Sequence, residues 1–153
     1  LTSLKIFTPA EIKSRYEITL ENYCKTVNIE ALTMIDMARK EILPAIVGYV
    51  KELSETMGAV KAASPAAPLG YGAKTVAKLC ALVEEIDAKA SALEAAADRY
   101  KQIKDVTAAA NDIRDDILQR MAELRVPCDE AETLMPANVW PFPSYGDLLF
   151  GVK

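Results

Sequence analysis

Histidine is absent from this chain. That absence removes Ser-His and Cys-His nucleophile systems and most metal sites. It also removes the di-iron reading that an acid-rich helical chain invites, because that centre needs Glu-x-x-His motifs on facing helices. Cysteine is scarce: Cys24, Cys80 and Cys128 are far apart and form no C-x-x-C pair, so neither a zinc nor a redox site has support. Isolated cysteines on helices are expected to be small buried hydrophobes, and a reducing cytoplasm is the expected compartment. No apolar run approaches about 18 residues, so no membrane span is expected. Leu1-Thr2-Ser3-Leu4-Lys5 lacks the charged start and apolar centre of a signal peptide. With no initiator Met, the chain is expected to be a piece cut from a longer protein. Positive charge is not in excess: 18 Lys and Arg against 22 Asp and Glu leave a net charge of −4, so no nucleic-acid partner is expected.

What remains is amphipathic helix, and the 153 residues suffice for one domain with a sizeable core. Thr8-Pro9-Ala10-Glu11 carries a capping-box start with proline at the first helical position. From Ile12 through Tyr16, Leu20, Tyr23, Val27, Ala31, Met34, Ala38, Ile42, Ala45 and Tyr49 to Leu53, apolar residues step by 4, 4 and 3. That is about 3.67 residues per turn, close to an unstrained helix. Ile18, Ile29, Leu32, Ile35, Met37, Leu43, Ile46, Val47, Val50 and Met57 widen the apolar surface, which predicts that the second half of this helix touches more than one partner helix and that the chain expressed alone self-associates. Pro44 predicts a kink. The first long helix is predicted over 9–57, stopping at Gly58, about 73 Å if unbroken. A Pro/Gly loop follows over 58–72. A second long arm over 73–126 contains neither Gly nor Pro. Its stripe from Val76 and Leu79 to Ala97 and Tyr100 is a coiled-coil heptad. A phase defect near Ile103 leaves two topologies: a continuous hairpin, which the lack of breakers favours, or a turn at Asp105 and three helices. Alanine clusters at 95–97 and 108–110 suit close helix approach. Pro127 predicts the end of the arm, 128–135 a short extra helix, and 136–153 a docking tail. The predicted fold class is all-α: an elongated antiparallel hairpin or bundle with a short C-terminal helix and an extended aromatic tail.

Little chemistry is encoded. Glu84-Glu85-Asp87 and Asp112-Asp115-Asp116 flank apolar positions and are expected on solvated faces. Gly70-Tyr71-Gly72-Ala73-Lys74-Thr75 lacks the first half of a P-loop and follows no strand, so it reads as a helix start. Tyr16, Tyr23 and Tyr49 are expected as core rings, and a ligand pocket near Tyr23 or Tyr49 has nothing specific behind it. No catalytic, cofactor or metal residue is predicted. The tail is different. In Trp140-Pro141-Phe142-Pro143-Ser144-Tyr145-Gly146-Asp147-Leu148-Leu149-Phe150 the two prolines bar a helix or central strand, and its rings need a surface. Trp140, Phe142, Tyr145, Leu148, Leu149 and Phe150 are the candidate docking residues, with the bundle itself and a separate domain both open as the surface they meet.

Thr8-Pro9-Ala10-Glu11, Ser14-Arg15-Tyr16-Glu17, Asn28-Ile29-Glu30-Ala31 with Met34, Ile42-Leu43-Pro44-Ala45 and the aromatic tail resemble the helical C-terminal region of type III glutamine synthetases. The tail is the most specific element, and the alanine-rich middle is generic. The resemblance implies a parent enzyme that joins glutamate and ammonia at the expense of ATP, with Mg or Mn ions. The motifs for that chemistry are not in this sequence, so no catalytic residue or cofactor is carried over. It implies a non-catalytic structural or oligomerisation domain, partnered by its own catalytic domain and by neighbouring subunits. A free-standing helical adaptor or coiled-coil scaffold is the alternative.

Overall fold

The first helix begins where the capping box requires. The Glu11 N–H donates to Thr8 Oγ1 at 3.3 Å, and the Thr8 N–H donates back to the Glu11 carboxylate at 2.7 Å. The computed structural model describes residues 6–151, and every regular element among them is helical. Helix α1 (Pro9–Met37) passes through a π turn (Ala38–Ile42) into α2 (Leu43–Ala63), forming the first arm. Helix α3 (Gly70–Tyr100) is the second. The third comprises α4 (Val106–Asp112), a π turn (Ile113–Ile117) and α5 (Leu118–Leu134), and a one-turn α6 (Tyr145–Leu149) lies in the tail. No helix among the described residues is long and apolar enough to cross a membrane.

The expectation of a continuous second arm gives way to a turn. The chain leaves the helix after Tyr100, and Asp105 starts α4, its carboxylate accepting the Ala108 N–H at 2.7 Å. The phase defect near Ile103 is therefore a chain reversal, made without Gly or Pro by one acidic N-cap. Three arms result, and each packs on the other two. Helix α3 accordingly buries two rows. Leu79, Ile86, Ala90, Leu93 and Ala97 are the heptad row, and Gly72, Thr75, Leu82 and Ala96 form the second. The alanines let neighbouring helices approach closely: Ala31, Ala38, Ala96, Ala97, Ala109 and Ala131 are all buried.

Three features differ from expectation, each for a local reason. Gly58 does not stop the first arm, because a single exposed helical glycine costs only about 1 kcal/mol. The helix ends instead at Ala63, and its C-cap Ser64 leaves the helical region (φ −141°, ψ 89°), which the following Pro65 disfavours. The irregularity expected at Pro44 takes the form of a π turn just before it, where the Leu43 N–H bonds to the carbonyl of Ala38, five residues back. Pro127 does not end the third arm. It sits inside α5 and is fully buried, so ring packing offsets the lost backbone bond, and the helix expected at 128–135 is the end of α5. The tail is not extended throughout. The Val139 and Trp140 N–H groups both donate to the Pro136 carbonyl, at 2.9 and 3.1 Å. Ser144 and Asp147 then form a second capping box that starts α6.

The first arm is longer than its partners. The turn at 101–105 meets it at Glu21, Cys24 and Lys25, so residues 9–20 project about 18 Å past the bundle. The apolar stripe continues onto this overhang without a cover. Tyr16 is 56% exposed and Tyr23 40%, so neither is the core ring expected of it. Tyr49 packs half-buried against the core.

If α3 is the shared seam and Asp105 makes the turn, their loss should differ in size. Chemical denaturation should show Leu93→Ala costing about 3 kcal/mol by cavity formation and Asp105→Ala about 1 kcal/mol by loss of the cap.

Candidate functional site

The tail returns onto the bundle across the seam between the first and third arms. Trp140 and Phe142 are half-buried against the core. Their rings meet edge to face, with centroids 6.2 Å apart at 77°, the arrangement aromatic quadrupoles prefer. Beneath them is a groove of about 410 Å³. The first arm supplies Met34, Met37, Ala38 and Ile42, the third supplies Leu124 and Cys128, and Trp140, Phe142, Pro143 and Leu148 form the roof and edge. Arg125, Asp129 and Glu132 line its polar side, where Arg125 Nε donates to Asp129 at 3.1 Å. A smaller hollow of about 180 Å³ lies on the other side of Trp140 and Phe142, against Met135 and Ala137.

The candidate tail residues fall into two groups. Trp140 and Phe142 meet this chain's own bundle. Leu148 edges the groove yet is 67% exposed, and Leu149 and Phe150 are 71% and 79% exposed. Tyr145 opens α6, and its side chain lies outside the described part of the structure. Reading the sequence missed Cys128 and Leu124 as groove residues, and did not place Met34, Ala38 and Ile42 at a shared wall. The available signal was Ser144-x-x-Asp147, whose capping geometry turns the tail after Pro143.

Ion pairs fix how the arms meet. Arg39 reaches from the first arm to Glu94 at 2.8 Å and Ser91 at 3.1 Å on α3. Lys78 of α3 meets Glu130 of α5 at 2.7 Å. Arg99, at the end of α3, donates to Asp112 at 3.1 Å and to Asp116, and Arg120 donates to Asp116 at 2.9 Å. The Arg120 guanidinium, with Arg99 beside it, holds the Asp116 carboxyl below the usual carboxylate range. Of the two acid clusters, Glu84, Glu85, Asp87 and Asp115 lie exposed as expected, whereas Asp112 and Asp116 are half-buried at this junction. Among the described residues no group of three or more Cys, Asp or Glu is placed to share a metal ion. Gly72 is a packing residue: a Cβ there would come within 2.5 Å of Met57 Sδ.

The cysteines divide by burial. Cys24 and Cys128 are buried and Cys80 is exposed, the one departure from the expectation that all three are core residues. Burial pushes the Cys128 thiol up to about 11 and raises that of Cys24 as well. Neither forms the reactive thiolate near neutrality.

The family model described as "Glutamine synthetase C-terminal domain" matches residues 1–61, which includes nearly all of the first arm. A protein of Butyrivibrio fibrisolvens named "Glutamine synthetase" is 34% identical over 148 residues, covering 97% of this chain and 21% of that protein. The "Type-3 glutamine synthetase" of Dictyostelium discoideum is 26% identical over 155 residues, covering 95% of this chain and 20% of its own length. The "Glutamine synthetase" of Bacteroides fragilis (strain YCH46) is 24% identical over 157 residues, covering 95% and 21%. The chain thus spans about a fifth of the length of the curated relatives it matches.

Two outcomes follow from these geometries. Asp116→Asn should lower stability at neutral pH by about 1 kcal/mol, and by less at high salt. Because the folded-state pKa is depressed, the contribution is present above the unfolded value of about 3.9 and is lost as pH falls through the lower folded value. Denaturation curves of the two proteins should therefore converge in acid. In thiol labelling of the folded chain at mildly alkaline pH, Cys80 should react first, with Cys24 and Cys128 reacting only on unfolding.

Proposed function

The chain belongs to the glutamine synthetase C-terminal domain family, and from that premise we propose that it is a structural, non-catalytic part of a type III glutamine synthetase. In this reading the parent enzyme, working in the cytoplasm, makes glutamine from glutamate, ammonia and ATP with Mg or Mn ions, and the residues for that reaction lie elsewhere in the polypeptide. The three arms brace the catalytic domain and contact neighbouring subunits of a homo-oligomer.

The observation that carries this reading is apolar surface in excess of what the bundle covers. Ile12, Tyr16 and Ile18 on the overhang are 37%, 56% and 56% exposed, and the end of the tail is more exposed still. The overhang continues the same stripe that is buried from Val27 onward. A stripe of that kind is a surface for a neighbour rather than a solvated face. The short coverage of the relatives supplies the room for such a neighbour within the same polypeptide.

Deleting residues 140–150 from the full-length protein should weaken assembly in sedimentation velocity and lower the unfolding temperature. Unchanged assembly and stability would overturn the anchoring role. The purified 153-residue chain should show no ATP-dependent glutamine formation, and turnover would overturn the non-catalytic assignment.

A further inference from the structure

Leu149 and Phe150 project into solvent directly beside the apolar groove, whose edge Leu148 forms. One chain thus carries an apolar plug without a socket and an apolar socket without a plug. In the observed geometry the two do not meet within one copy. Helix α6 is a single turn, and successive residues lie about 100° apart around it. With Leu148 at the groove edge, Leu149 and the following Phe150 are directed elsewhere. The turn is not loose, because Ser144 N–H donates to Asp147 at 2.9 Å and Asp147 N–H donates to Ser144 Oγ at 3.3 Å.

We propose that α6 of one copy of this chain seats Leu149 and Phe150 in the groove of a second copy, and receives the second copy's tail in return. The proposal rests on the structural role above and names its partner surface: Met34, Met37, Ala38 and Ile42 of the first arm with Leu124 of the third. Three observations select a second copy. The groove walls are apolar from both arms, and its volume of about 410 Å³ accepts large side chains. Arg125 and Asp129 at the rim pair with each other and leave one further carboxylate, Glu132, so the mouth disfavours an anionic occupant and suits the uncharged Leu149 and Phe150. A small molecule in the groove would leave Leu149 and Phe150 in water, whereas reciprocal exchange covers plug and socket on both copies by one two-fold operation. Two such tails make a contact at the low end of specific interfaces, below about 1,200 Å². Association of the isolated chain is therefore weak, and gains from the high local concentration inside a larger assembly.

The test is inter-copy cross-linking with the 153-residue chain. A Phe150→Cys chain is mixed with a Met37→Cys chain, both in a Cys80→Ser background, under mild oxidation. The disulfide between copies should accumulate. In sedimentation equilibrium, the chain should show a concentration-dependent dimer, and the Leu149→Asp, Phe150→Asp double variant should lower the association constant by roughly tenfold or more. At concentrations too low to populate the dimer its unfolding midpoint should match that of the unmodified chain, since both positions are exposed. Three results would overturn the proposal: a disulfide only when both cysteines are on one copy, which places the tail in its own groove; undiminished association of the double variant, which points to another face such as Ile12 and Tyr16; and a monomer at every concentration. These failures are separable from failure of the structural role, which is read in the full-length protein by deletion of 140–150.

Discussion

Helix α3 is the element on which the molecule depends. It lies between two arms and must satisfy both, so it buries two rows of side chains, from Gly72 and Thr75 to Ala96 and Ala97. Burial of Leu79, Leu82, Ile86 and Leu93 stabilises the fold by about 1.5–3 kcal/mol each, more than the surface ion pairs between arms contribute. The alanines between them set the spacing. Where Ala90, Ala96 and Ala97 face a neighbour, backbones come close and little water remains. The Arg39, Lys78 and Arg99 pairs then select the rotation of each arm about this seam, a matter of specificity more than of strength.

The uncovered apolar surface follows from unequal lengths around that seam. Because the second and third arms meet the first at Glu21 to Lys25, its first turns stand clear, and a stripe that elsewhere makes core becomes exposed surface. At the other end, the third arm runs through Pro127 and releases the tail only at Pro136. The tail then has to return, and its prolines and its capping box divide the work. The prolines keep Pro141 to Pro143 out of helix, so Trp140 and Phe142 pack against the seam, edge to face with each other. Ser144 and Asp147 start a single turn that lifts Leu149 and Phe150 away from it. The same short segment thus closes one apolar surface and presents another.

Much of this was legible in the residues. The all-helical class, the capping box at Thr8, the heptad row of α3 and the loop near Pro65 all follow from periodicity and from proline and glycine chemistry. Other features were hidden because they depend on competition between local and distant terms. Pro127 reads as a stop until its ring is seen to fill core. Gly58 reads as a stop although nothing around it enforces one. The turn at 101–105 carries no Gly or Pro, and Asp105 as an N-cap looks like any other acid until the two helices it separates are packed. The groove was hidden for a further reason: its walls come from positions near 34–42 and 124–128, brought together only by the three-arm topology.

Taken alone, the order of residues determined which segments are helix, which faces are apolar, and that histidine-based chemistry is excluded. These are local properties, decided by side-chain type and spacing within a few turns. Tertiary packing decided which apolar stripes became core and which stayed exposed, how far the first arm outruns its partners, and where the tail lands. Those outcomes depend on the relative lengths and registers of elements distant in the chain, and burial energy is realised only when the elements meet.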